Sequence, residues 1–138
     1  MKIDIFNHIF PKIFFDKMME IAPDIADLGK RVRGVPVLFD LDARFQTMDQ
    51  FDEYAQVICM PGPPLEVMAG PDVTPDLAKA ANDGLAEYVA KYPDRFPGFI
   101  ASMPMNNPDA AAAEIDRAIK DLKAVGVQFF TNVNGKPL

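Results

Sequence analysis

Apolar positions along this chain fall into short blocks, each stopped by a polar pair or a proline, and the blocks alternate between two spacings. In "MKIDIFNHIFPK", Lys2 to Phe6 are apolar-rich and strand-forming and break at Asn7-His8, which predicts a first strand. From Pro11 the spacing changes. Ile13, Phe14, Lys17, Met18 and Ile21 recur at helical intervals, so a helix is expected over Lys12 to Ala22, ended by Pro23. "GKRVRGVPVLFDLDARF" has two glycines and a proline around a short β-branched run and reads as a loop or small hairpin. "DARFQTMDQF" then reads as a short helix capped by Asp42.

Tyr54 to Met60, "YAQVICM", is a nearly unbroken apolar run of strand length, as expected for a strand buried on both faces. "PGPP" stops it, because proline supplies no N–H to a ladder. Thr74 is the expected N-cap of a long helix with Pro75 at its first position and Leu77, Ala80, Ala81, Leu85, Tyr88 and Val89 on its apolar stripe. "FPGFIASMPM" is the next strand. Pro108 opens a helix with Ala111, Ile115, Ala118, Ile119 and Leu122 inward and Gly126 as its stop. "VQFFT" is the last strand, with Phe129 and Phe130 on opposite faces, and "NVNG" is a turn. Strands alternating with helices in this way predict an α/β fold with a parallel sheet.

Composition narrows the function. The chain has 138 residues, enough for one domain. Its 20 acidic against 14 basic residues give a net charge of -6, which argues against a nucleic-acid binder. No apolar run approaches the ~20 residues of a membrane span, and no polybasic patch suggests a membrane surface. Cys59, the only cysteine, rules out an intrachain disulfide and suits a reducing compartment. The expectation is a soluble cytoplasmic protein. The apolar neighbours of Cys59 mark a buried, inert thiol, and the methionines read as core filling.

In a parallel α/β fold the chemistry gathers where strands end and loops lead into helices. Of the four predicted strand ends, only Asn7-His8 and Thr131-Asn132-Val133-Asn134 offer polar, ligand-capable groups. No phosphate-cradling loop, dinucleotide fingerprint or Gly-x-Ser-x-Gly elbow occurs.

The residues around His8, the only histidine, carry a resemblance. "IDIFNHIFP" resembles the first strand of metal-dependent amidohydrolases, whose typical form is Asp-x-His-x-His. More narrowly it is similar to the branch related to aminocarboxymuconate-semialdehyde decarboxylase and gamma-resorcylate decarboxylase. "AKYPDRFPGF", "ASMPMNNPDAAAAEIDRAI" and "GVQFFTNVNG" agree in order and spacing, so the resemblance covers nearly the whole chain.

The resemblance implies a TIM-like (β/α)8 barrel of about 250 residues. Four strands are counted here, so residues 1–138 are expected to be its N-terminal half, with an inserted helix or hairpin segment around residues 12–50. The missing half would belong to a longer gene product, to a partner chain, or to a second copy in a homo-oligomer. It further implies a divalent metal, zinc by preference, with His8 as a ligand. Phe6 occupies the position of the first ligand and has no lone pair to offer. The remaining histidine and aspartate would come from later strands.

The expected substrate is a small aromatic or dienoic carboxylate, hydrolysed or decarboxylated without oxidation. Arg31, Arg33 or Arg44 would clamp the carboxylate by a bidentate fork. Surface pairing of these arginines with Asp40, Asp42 or Asp49 is the plainer alternative. Asn132 is a candidate substrate donor, or with Asn134 a source of left-handed turn geometry. Asp4 is either a carboxylate accepting backbone hydrogen bonds or a partner of His8. A catalytically incomplete half-barrel acting by self-association is the competing expectation.

Overall fold

Each apolar block of strand length pairs with the next one along the chain. The computed structural model describes residues 1–22 and 34–137, so Arg31 and Arg33 lie outside the described residues. The elements are β1 (Lys2–His8), α1 (Lys12–Ile21), a 3-10 turn (Pro36–Leu38), α2 (Leu41–Met48), β2 (Tyr54–Cys59), α3 (Leu65–Met68), α4 (Thr74–Lys91), β3 (Gly98–Ser102), α5 (Pro108–Lys120), β4 (Gly126–Gln128), and a hairpin of β5 (Asn132–Val133) and β6 (Lys136–Pro137). Strands β1 to β4 form one parallel sheet in chain order, curled as half of a barrel.

The side chains of β2 and β3 alternate between two environments, as a strand period of two requires. Ile58, Phe99 and Ala101 are buried with Phe14 and Met18 of α1, Leu77, Ala81 and Leu85 of α4, and Ala111 and Ala118 of α5. Helices therefore cover the sheet's outer face. The neighbouring residues Cys59 and Ile100 line a cleft on the other face.

Several local expectations are corrected. The cap of α2 is Asp40, whose Oδ1 accepts from the N–H groups of Asp42 (2.9 Å) and Ala43 (3.2 Å). Thr74 is the first residue of α4 and does not cap it. Its hydroxyl is buried and donates to Oδ1 of Asn106 at 2.6 Å. Helix α5 ends at a turn where Lys123 takes φ 62°, and Gly126 begins β4. The last strand stops at Gln128, two residues before Phe130, because its neighbour β3 ends at the paired Ser102 and Pro104 soon follows without an N–H.

The first strand runs past Phe6 to His8, but not regularly. Its pairing with β2 slips by one residue between Asp4 and Asn7, which is a bulge. The side chains on either side secure it. Oδ1 of Asp4 accepts from the Phe6 N–H at 3.0 Å, and Nδ2 of Asn7 donates to the carbonyls of Asp4 (3.2 Å) and Val57 (2.9 Å).

Candidate functional site

The carboxyl ends of the four strands meet on the inner side of the curl. His8 ends β1, Cys59 ends β2, Ser102 ends β3 and Gln128 ends β4; His8 pairs with Cys59, and Ser102 with Gln128. Phe6, His8, Cys59, Ile100 and Gln128, with Phe130 beyond β4, line a cleft of about 480 Å³.

The imidazole is oriented by sulfur. The Cys59 thiol donates to the carbonyl of Asn7 at 3.1 Å, and Nδ1 of His8 lies 3.2 Å from Sγ. Burial, with Asp4 adding and Arg44 opposing, pushes the Cys59 thiol up to about 11, so sulfur keeps its proton at neutral pH. With S–H donated to Asn7, the tautomer that suits this contact is the one carrying Nδ1–H toward the sulfur lone pairs. Nε2 then holds the available lone pair of His8. The Phe6 ring stands edge-on to the imidazole, 5.0 Å between centroids.

Arg44 sits behind this strand end and is 4% exposed. Its Nε donates to the Val37 carbonyl (3.0 Å), Nη1 to Oδ1 of Asn7 (3.1 Å) and Oε1 of Gln56 (2.6 Å), and Nη2 to the carbonyl of His8. From Gln56 the bonds continue: Nε2 donates to the Tyr54 hydroxyl (3.0 Å), which donates to Oδ2 of Asp4 (2.9 Å). A buried cation is thus linked to a carboxylate through two neutral groups. Desolvation holds the Arg44 guanidinium below its ordinary range, and Tyr54 and Asp4 oppose this. The same desolvation raises Tyr54.

Asn7, His8, Arg44, Tyr54 and Gln56 also wall a second cavity of about 250 Å³ beside α2. Asn132 is exposed, and its Oδ1 accepts from the N–H of Gly135 at 3.2 Å, closing a turn in which Asn134 has φ 51° and Gly135 φ 78°.

Sequence reasoning missed Gln56, Tyr54 and Glu66. The signal for Gln56 was present: it is the one amide in "YAQVICM". Glu66, an acid between Leu65 and Val67 after a run of prolines, is 7% exposed, and its Oε1 has no hydrogen-bond partner among the described residues.

Among the described residues no group of three or more His, Cys, Asp or Glu side chains converges as a metal site would require. The phenyl ring of Phe6 adds no donor to His8. The described residues alone therefore do not fit a complete divalent-metal centre.

The profile of the amidohydrolase family matches residues 7–138. The chain belongs to the amidohydrolase family. Among its relatives, this amidohydrolase chain is 39% identical over 85 residues to gamma-resorcylate decarboxylase of Rhodococcus jostii, covering 62% of this chain and 26% of that protein. It is 30% identical over 153 aligned positions to 2-amino-3-carboxymuconate-6-semialdehyde decarboxylase of Dictyostelium discoideum, covering all of this chain and 42% of that one. The chain thus spans less than half the length of the curated relatives it matches.

Dihydroxybenzoic acid decarboxylase of Polaromonas, solved with bound manganese and the inhibitor 2-nitroresorcinol, superposes with a TM-score of 0.73 at 31% identity over 91% of this chain and 37% of its own. Similarity to 5-carboxyvanillate decarboxylase of Sphingomonas paucimobilis (TM-score 0.79, 21% identity, 96% of this chain and 43% of that one) bears on the fold alone. The half-barrel of an amidohydrolase is the architecture. No helix among the described residues is long and apolar enough to cross a membrane.

Proposed function

We propose that this chain contributes the first half of the active-site wall of a barrel enzyme that decarboxylates a small aromatic or dienoic acid, with His8 presenting Nε2 to the cleft. The observation that carries this reading is the position of His8: at the carboxyl end of β1, its Nδ1 3.2 Å from Sγ of Cys59, on a cleft of about 480 Å³. The names of the relatives support decarboxylation over hydrolysis.

Arg44 acts in this reading as the residue that sets β1 against β2, since four of its five N–H groups are engaged. The carboxylate clamp then falls to the basic stretch that includes Arg33. Oδ1 of Asn132 holds its turn, which leaves Nδ2 as the group that would donate to a substrate. A divalent ion, zinc by preference for nitrogen donors, would take His8 as this chain's contribution and its other donors from outside these 138 residues.

The test is release of carbon dioxide from 2,6-dihydroxybenzoate and from 2-amino-3-carboxymuconate semialdehyde by the polypeptide carrying this chain, supplied with zinc or manganese. Turnover of one of these acids, reduced by about a hundredfold or more in His8→Ala, is the expected result. No turnover of either acid, or turnover indifferent to His8→Ala, defeats the reading.

A second reading has one observation in its favour. Ile3, Ile5 and Phe6 on β1 are 51%, 67% and 79% exposed, as a strand awaiting cover would be. In that reading the chain works by association with a second copy or a partner.

A further inference from the structure

Four methionines from separate parts of the chain meet at one place. Met60 follows β2, Met68 ends α3, and Met103 and Met105 flank Pro104 after β3. With Leu65 they line a nearly closed pocket of about 10 Å³, room for no more than a water. Met60, Leu65, Met68 and Met103 are buried. Methionine is unbranched and adapts its shape to a new neighbour, so the walls of this pocket are compliant.

Two side chains line both this pocket and the His8 cleft: Gln128, the last residue of β4, and Phe130. They form the wall between the two. The Phe130 ring is seated from across the sheet. A carbon added at Gly62 would lie 3.7 Å from its Cε1 and 3.9 Å from its Cζ, so a residue following β4 closes over the loop that follows β2, two strands away. His8 ends β1, three strand spacings from β4, or about 14 Å along the curl.

We propose that Phe130 sets the length of ligand that the His8 cleft takes. Its ring stops an apolar substituent that points from His8 toward β4, and the methionine pocket behind it is the space such a substituent would otherwise enter. The proposal rests on the reading above in taking the cleft as the ligand site, and it holds whether or not the ligand is decarboxylated. The lining sets the class of group excluded. Apart from Glu66, Ser102 and Gln128, every side chain of the pocket is apolar, so the group is an alkyl chain; a charged one would lose its water without a matching partner.

Benzoate, 4-ethylbenzoate and 4-butylbenzoate differ only in reach and serve as the probes. Binding is followed by NMR titration of the polypeptide carrying this chain, as wild type and as Phe130→Ala, with the methionine methyls labelled with carbon-13. Burying one methylene strengthens binding about fourfold. The wild type is therefore expected to bind the three acids within about threefold of one another, and Phe130→Ala to bind 4-butylbenzoate at least about tenfold more tightly than benzoate. The Met68 and Met105 methyl signals should shift with 4-butylbenzoate in the variant and stay in place in the wild type, a response that a merely structural role for the ring would not produce. Adding Met105→Phe to Phe130→Ala refills the pocket and should cancel the gain.

A wild type that already prefers 4-butylbenzoate about tenfold overturns the proposal, and that comparison needs no variant. So does a folded Phe130→Ala protein that lacks the preference, or that shows it with the methionine methyls unmoved. If Phe130→Ala does not fold, Phe130→Leu gives the same comparison with 4-ethylbenzoate, and equal binding of that acid and benzoate overturns the proposal. Absence of carbon dioxide release in the test above, with the selection by length intact, overturns decarboxylation and leaves the role of Phe130 standing. Binding of none of the acids by either protein overturns both.

Discussion

At Arg44 the side-chain chemistry is that of a bolt. Its guanidinium ties the carbonyl of His8 and the side chains of Asn7 and Gln56 to α2, and a planar fork is the only side chain that meets acceptors in so many directions. Arg44→Met would leave those acceptors buried without donors, at a cost of roughly 3–5 kcal/mol; Arg44→Lys, a point charge, should recover little of it. Urea unfolding measures this, and a loss below about 1 kcal/mol for Arg44→Met would show the network to be dispensable. Cys59 makes a second residue-scale prediction, on pH. Its folded value of about 11 lies above the ordinary 9.0, so the native state holds this proton more tightly than the unfolded chain does. The resulting stabilisation is whole below pH 9 and is lost as pH rises from 9 to 11, about 2–3 kcal/mol at most. Stability at pH 8 and 10.5 should therefore fall more steeply in the wild type than in Cys59→Ala; parallel slopes would refute the assignment.

At the level of elements, Gly84 decides how α1 meets α4. A Cβ there would lie 2.4 Å from Cβ of Pro11 and 3.0 Å from Cγ2 of Ile13. Helix propensity alone says Gly84→Ala stabilises by about 1 kcal/mol. The contact with Pro11, a ring fixed in the backbone, reverses the sign, and a loss of about 1–3 kcal/mol is expected from forcing the helices apart. A higher Tm for Gly84→Ala would mean that the α1–α4 contact yields easily. The same distinction between local and distant causes explains what could be read in advance. The strand order, the helices after Pro11, Thr74 and Asn107, and the place of His8 all follow from apolar runs and their stops, which are local. The end of β4 does not: "VQFFT" has strand-forming residues throughout, and pairing stops because β3 has no more to offer. Thr74 looks like a cap, and a residue 32 positions away claims its hydroxyl. Glu66 and the bulge in β1 were invisible for the same reason, since each depends on neighbours that only the fold brings near.

For the molecule as a whole, the imbalance between the two faces of the sheet is the dominant fact. Helices cover the outer face, while Ile3 and Ile5 on β1 stand 51% and 67% exposed, and β1 and β4 each have one edge without a neighbour among the described residues. Each such aliphatic side chain forgoes about 1.5–3 kcal/mol available on burial, and an open edge strand offers N–H and C=O groups to whatever strand comes near. In a longer polypeptide the remaining strands supply that cover; in the isolated chain a second copy is the nearest apolar surface. Sedimentation velocity on the 138-residue chain should therefore show a dimer or larger species that dissociates on dilution. The double substitution Ile3→Lys and Ile5→Lys, which places two charges on the strand without touching the lining of the His8 cleft, should shift the population to monomer while the far-UV CD spectrum is retained. A wild-type chain that sediments as a monomer at every accessible concentration would show that the exposed strand does not drive association, and the second functional reading would fall with it.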